Sequence, residues 1–164
     1  MAGTYDPIAS QTITSDQSYV TFSSIPTTYT DLIIVKTGLQ NTTANLGLRV
    51  GNGSADTGTN YSGTQMYGSG TSAASDRFST DTRWYMNYSG PASTGVTSIA
   101  TILNYSNTTT YKTMLVRNTD AGVYASAYVF LWRSTAAINY LEFSLVTSGI
   151  KAGSTFALYG VKAA

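Results

Sequence analysis

The sequence predicts an all-β protein: an antiparallel β-sandwich of jelly-roll type, with an immunoglobulin-like sandwich as the alternative. Three observations predict it. Short runs with apolar residues at every second position recur along the chain, the mark of strands with one face in a core. Clusters of Gly, Asn, Ser and Thr separate these runs at spacings of about 8 to 15 residues, where turns need positive φ or short polar side chains. No stretch has the 3.6-residue period of an amphipathic helix.

Taken in order, residues 1–15 are polar, with Pro7 and apolar anchors at Ile8 and Ile13, and suit an arm or an edge strand. Residues 18–24 alternate with Val20 and Phe22 inward, and end at Ile25-Pro26, where proline brings no N–H to the ladder. Leu32-Ile33-Ile34-Val35 is apolar on both faces and belongs at the centre of a sheet. Leu46, Leu48 and Val50 alternate with Gly47, Arg49 and Gly51 as a half-buried strand. From 52 to 80 the alternation gives way to Gly, Ser and Thr around Tyr61, Met66, Tyr67 and Phe78, which reads as one long loop. Loops of that length usually serve function or drape over a surface. Residues 84–88 predict a short strand, Gly90-Pro91 a turn, and 96–105 a strand with Val96, Ala100 and Ile102 opposite Ile99, Thr101 and Leu103. Asn107-Thr108-Thr109 connects to a strand over 111–117, and 118–122 turns into the longest strand, 123–133.

The clearest segment is 138–162. Leu141, Phe143 and Leu145 alternate with Tyr140, Glu142 and Ser144; small residues interrupt; then Phe156 and Leu158 alternate with Thr155 and Ala157. This predicts a closing hairpin of two antiparallel strands, and about nine strands in a single domain over 1–164. The expected core is Val20, Phe22, Leu32, Ile34, Leu48, Leu103, Leu141, Phe143, Leu145, Phe156 and Leu158. In 123–133 neither face is polar: Val123, Ala125, Ala127, Val129 and Leu131 share one, Tyr124, Ser126, Tyr128, Phe130 and Trp132 the other. Small residues suit close sheet packing and aromatics suit a partner, so Tyr124, Tyr128, Phe130 and Trp132 are the expected subunit interface. The 52–80 loop is the alternative cover.

Composition narrows the function classes. Charged residues make up 10% of the chain, against a norm of about 25%, and the net charge is +1. Nothing steers this protein toward nucleic acid or an anionic membrane, and little repulsion opposes association with neighbours. No basic segment followed by an apolar run marks a signal peptide, and no run reaches the roughly 18 apolar residues of a membrane span. Six N-x-S/T triplets, at Asn41, Asn52, Asn60, Asn87, Asn104 and Asn107, are what a chain rich in these residues produces by chance.

Histidine and cysteine are absent, which removes the commonest general base, the thiol nucleophile and the imidazole metal ligands together. Serine lacks a base unless Lys36, Lys112, Lys151 or Lys162 supplies one. Asp76 and Asp81, flanked by Arg77, Arg83 and Trp84, are the nearest approach to a glycosidase pair; loop charges pairing with loop arginines account for them as well. The 52–58 segment has the glycines of a calcium loop but one carboxylate, Asp56, and reads as a turn. No cofactor or metal is expected, and the chain does not read as an enzyme. Exposed aromatics beside polar groups also make saccharide sites, and Tyr61, Tyr67, Asp81, Arg83, Trp84 and Tyr85 are the candidate glycan contacts.

Three stretches carry a resemblance: VTFSSIPTTYTDLIIV at 20–35, NYSGTQMYG at 60–68 and AGSTFALYGVK at 152–162. They resemble small β-rich structural proteins of tailed bacteriophages, notably those of marine bacteria and cyanobacteria, and the ends of longer tail-fibre chains. The resemblance covers most of the chain and carries no chemistry. It implies a virion component on the particle exterior, a capsid decoration or a tail or fibre appendage, assembled with other virion proteins. By analogy with phage appendages a homotrimer is expected, with a host-surface glycan as a further partner.

Overall fold

A computed structural model describes residues 4–39, 45–87, 95–120, 124–145 and 149–162. Twelve strands lie among the described residues: β1 Tyr5–Thr12, β2 Tyr19–Phe22, β3 Asp31–Gly38, β4 Leu46–Gly51, β5 Tyr61–Gly68, β6 Ala73–Asp81, β7 Trp84–Asn87, β8 Val96–Leu103, β9 Lys112–Asp120, β10 Tyr124–Trp132, β11 Tyr140–Leu145 and β12 Thr155–Val161. They form two antiparallel sheets, an eight-stranded one in the order β1-β12-β3-β8-β9-β10-β5-β6 and a four-stranded one in the order β2-β11-β4-β7. From β1 to β5, from β6 to β8 and again from β10 to β12, consecutive strands change sheet. That crossing makes the sandwich jelly-roll-like. Expected features at Asn41, Tyr88, Gly90-Pro91, Gly122, Val123 and Ser148 lie outside the described residues.

The core sits between the sheets and follows the alternation. Val20, Phe22, Leu32, Ile34, Leu48, Leu141, Phe143, Leu145, Phe156 and Leu158 are all buried, as expected, while Leu103 faces out. Phe143 stands edge-on to Phe22 within the small sheet, with centroids 6.1 Å apart, and reaches across to Phe156 of the large sheet at 5.0 Å. A polar row crosses the inner face of the large sheet from Lys36 through Ser98 and Asn118 to Ser126. Within it the Ser98 hydroxyl donates to Asn118 Oδ1 at 3.0 Å and Asn118 Nδ2 donates to Ser126 Oγ at 3.4 Å.

Three expectations need correction. The 138–162 hairpin does not form: β11 lies between β2 and β4 in the small sheet, and β12 lies between β1 and β3 in the large one. The chain leaves one sheet after Leu145 and enters the other at Thr155, so Phe143 and Phe156 meet across the core. The 52–80 loop is mostly the hairpin β5–β6; at Gly63 a Cβ would come within 2.2 Å of the Phe130 ring, and the glycine lets the two strands pair without displacing that ring. The strand expected to turn at Asn118 runs on as β9 to Asp120.

The two rims of the large sheet differ. At the β1 rim, Pro7 lies within the strand and the register with β12 shifts between Pro7 and Ala9. At the other rim, β6 has both faces largely exposed and carries Asp76 and Arg77.

Two outcomes follow from this packing. Phe143→Ala removes a ring with no exposed surface that touches both sheets, and costs about 3–5 kcal/mol in urea or thermal unfolding. Burial holds Lys36 down at about 8 from the ordinary 10.5. Between those values the unfolded chain binds a proton the folded chain has released, so stability rises with pH. Melting temperature therefore increases from about pH 8 to 9, and Lys36→Met removes most of the increase; burial lowers Lys112 as well and adds to the rise, while the raised tyrosines oppose it as pH nears 10.

Candidate functional site

Alternation gives each sheet an outer face, and the two outer faces differ in chemistry. On the four-stranded sheet, Leu46, Leu48 and Val50 turn inward, which leaves Gly47 and Arg49 on the outside. Pairing then places Tyr19, Ser144, Gly47 and Tyr85 in one row, and Thr21, Glu142 and Arg49 in the next. Tyr140 stands beside them, opposite Gly51. A Cβ at Gly47 would lie 2.4 Å from Cδ of Arg83, so the glycine is a slot for the arginine stem. Arg83 Nη1 there donates to Ser144 Oγ at 3.4 Å. Arg49 Nη1 meets Glu142 Oε1 at 3.4 Å, and its Nε donates to the Thr82 carbonyl at 3.3 Å. The Tyr85 hydroxyl donates to Asp81 Oδ2 at 2.9 Å. Burial first, and then that carboxylate, push Tyr85 up to about 12. Tyr140 is also raised, by burial and by the neighbouring Glu142 and Tyr19. Tyr19 is 61% exposed and forms the open side of the cluster.

On the eight-stranded sheet the outer face has almost no charge. Across β12, β3, β8, β9, β10 and β5 the charged residues on the outer side are Arg117 and, at a corner, Asp31. Ile99, Arg117, Ala127 and Met66 lie side by side, and Thr101, Leu115, Val129 and Thr64 fill the adjoining row. Met66 is 65% exposed, Val129 52%, Ile99 48%, Leu115 43% and Leu103 37%. Ala125, Ala127 and Gly68 floor a shallow depression of about 770 Å³ between Met66 and Arg117.

The expected subunit interface is therefore reversed. Tyr128, Phe130 and Trp132 are buried between the sheets, and Tyr124 is half-buried and stacked on Tyr67 at 5.2 Å. Phe130 packs near Phe78 and Tyr85, and Trp132 Nε1 donates to Asp56 Oδ2 at 2.7 Å. Large rings fill the gap between sheets and the small Ala and Val side chains are left to the surface, because ring area gains most from burial.

The candidate glycan contacts separate in the same way. Tyr61 and Trp84 are fully buried in an edge-to-face pair at 5.9 Å and offer nothing to solvent. Tyr67 lies on the large sheet against Tyr124. Asp81, Arg83 and Tyr85 do come together, and the structure adds Tyr19, Arg49, Tyr140, Glu142 and Ser144 from distant parts of the chain. Their one signal in the sequence is that they occupy the polar positions of alternating strands.

The catalytic candidates find other work. Asp76 and Asp81 lie five residues apart on β6, about 17 Å along a strand, beyond the reach of a paired-carboxylate mechanism. Asp76 accepts from Gln65 Nε2 at 2.8 Å. Lys36 Nζ donates to the Gly38 carbonyl, Lys112 Nζ to those of Thr110 and Thr135, and Lys162 pairs with Asp6. Among the described residues no three Asp or Glu side chains gather as a metal site would require.

No protein-family model matches the sequence, and no curated protein matches it. Solved structures with a similar outline include the Caenorhabditis elegans galectin LEC-6, at 8% identity over 94% of this chain and 96% of that one, with a TM-score of 0.39. A single mutant of congerin II has 12% identity over 84% and 98%, with a TM-score of 0.42. The homodimeric agglutinin CG-16 from chicken liver has 12% identity over 88% and 96%, with a TM-score of 0.36. At such values the resemblance stops at sandwich architecture and says nothing of what this chain binds.

The 52–58 segment supplies a test. Asp56 Oδ1 accepts from Gly58 N at 2.8 Å, and Oδ2 accepts from Asn60 Nδ2 and from the Trp132 indole. Burial works to raise Asp56, but these three hydrogen bonds outweigh it and hold the carboxyl below its ordinary 3.8. Its stabilisation is present above that value and is lost as pH falls through the lower, folded one. Asp56→Ala costs about 1–3 kcal/mol, because the Trp132 N–H loses its acceptor, and flattens the acid limb of stability against pH. EDTA leaves the wild-type melting temperature unchanged.

Proposed function

We propose that this protein is a non-catalytic assembly component, a virion structural protein of tailed-phage type that works by protein–protein contact on the particle exterior. The observation that carries the proposal is the outer face of the eight-stranded sheet, a broad surface of Ile, Leu, Val, Met, Ala and Thr with Arg117 as its central charge. Exposed apolar patches of more than a few hundred Å² on soluble proteins mark interaction sites. Six strands spaced at about 4.8 Å, each of about eight residues rising 3.4 Å, span about 780 Å². A stable interface takes about 800 Å² from each partner.

The occupant is a second copy of the chain. Two such faces pack as sheets do, about 10 Å apart and rotated by about 30°, and the small Ala125, Ala127 and Thr side chains permit that approach. A net charge of +1 sets little long-range repulsion against it, and Arg117 is the one central charge the contact must accommodate. A face that packs on its own copy closes with two-fold symmetry, so the contact yields a dimer in place of the trimer that the phage analogy suggests. The three stretches resembling phage structural proteins support placing such an assembly on a virion.

Light scattering at tens of micromolar should give twice the chain mass of 17.4 kDa. The double variant Leu115→Asp, Val129→Asp should run as a folded monomer with unchanged circular dichroism. A wild-type monomer at high micromolar concentration would end the self-association reading. Absence of the protein from purified particles would end the virion reading independently.

A further inference from the structure

We infer that the outer face of the four-stranded sheet is a saccharide-binding patch for neutral hexopyranosides, with Tyr19 and Tyr140 as the aromatic contacts and Arg49, Glu142, Arg83 and Asp81 as the polar ones. The inference is independent of self-association, which uses the opposite face of the sandwich.

Pyranose recognition combines two kinds of surface. The C–H face of the sugar rests on an aromatic ring, and the hydroxyls, each a donor and an acceptor, meet fixed acceptors and donors. Both kinds are present here. Tyr19 is 61% exposed and stands one strand from Ser144, with Tyr140 close enough for its titration to feel Tyr19 and Glu142. At the other end of that row the Tyr85 ring is taken up by Phe78 and Phe130, and its hydroxyl donates to Asp81 at the edge of the patch. Beside Tyr19 the floor is low: Gly47 has no side chain and Ser144 a short one, so the side chain of Arg83 lies across them.

The polar groups are arranged as pairs. Arg49 with Glu142 offers a guanidinium fork beside a carboxylate, and Arg83 lies near Ser144. Both contacts are 3.4 Å, longer than a good charge-assisted bond, so a sugar hydroxyl can take the place of either partner without breaking a strong one. Two guanidiniums and two carboxylates leave the patch without net charge. A uronic or sialic acid would gain from one arginine and meet Glu142 or Asp81 unfavourably, which selects uncharged sugars. The site lies on paired strands, so its geometry exists before the ligand arrives and little ordering entropy opposes binding.

The test is a printed array of neutral hexose glycans beside sialylated and uronic-acid glycans, followed by solution titration of the full chain with the strongest neutral binder. Binding to neutral glycans should weaken at least about tenfold in both Tyr19→Ala and Glu142→Gln, with melting temperatures kept within a few degrees. Tyr19→Phe should keep most of the affinity, since it retains the ring. Tyr111→Ser, an exposed position away from the patch, should leave the solution affinity unchanged. The assignment is overturned if the array is silent, if the acidic glycans alone bind, or if Tyr19→Ala and Glu142→Gln bind as the wild type does.

Discussion

The sandwich hangs on Tyr61. Its ring lies on the inner face of the large sheet and meets Trp84 of the small sheet edge-on. Its hydroxyl accepts from the Val50 backbone N–H at 3.1 Å and faces the carbonyls of Val50 and Asp56 at 3.1 and 2.9 Å. One side chain thus joins β5, β4, β7 and the segment that links the sheets. A buried hydroxyl with such partners is costly to disturb, because removing it leaves backbone groups without water or protein to satisfy them. Burial keeps the phenol protonated well above the ordinary tyrosine range.

Tyr61 also decides which surfaces the molecule presents. It brings β7 over the large sheet, so the aromatic side of β10 is covered and its alanine and valine side is not. The four-stranded sheet spans half as many strands as its partner, and β6 extends past it with both faces open. A wide apolar outer face on one side and a compact, mixed-charge one on the other both follow from that mismatch.

Much of the fold was legible from alternation alone. Strand positions, the polar gaps and most of the inward residues are local properties, and a period of two reveals them wherever one face is buried. Two features were not local. The period does not say which of two apolar faces is inside, and for β10 the choice depended on rings of Phe78, Tyr85 and Trp84 coming from elsewhere. Nor does proximity in sequence fix partners: β11 and β12 alternate alike and are neighbours in the chain, yet they belong to different sheets. The candidate site divides in the same way. Asp81, Arg83 and Tyr85 lie within five residues and were visible together, whereas Tyr19, Arg49 and Glu142 become neighbours through the order β2-β11-β4.

The unequal rims of the large sheet set how this protein behaves when crowded. Sheets lengthen by adding strands at an unpaired edge, the route to fibrils. At one rim Pro7 has no N–H to give and the register slips beside it, so an incoming strand finds no regular ladder. At the other, Asp76 and Arg77 would have to be matched by an incoming strand at the centre of β6. Each rim of the large sheet thus carries its own obstacle to edge-on pairing, in a chain otherwise poor in the charges that keep strands apart.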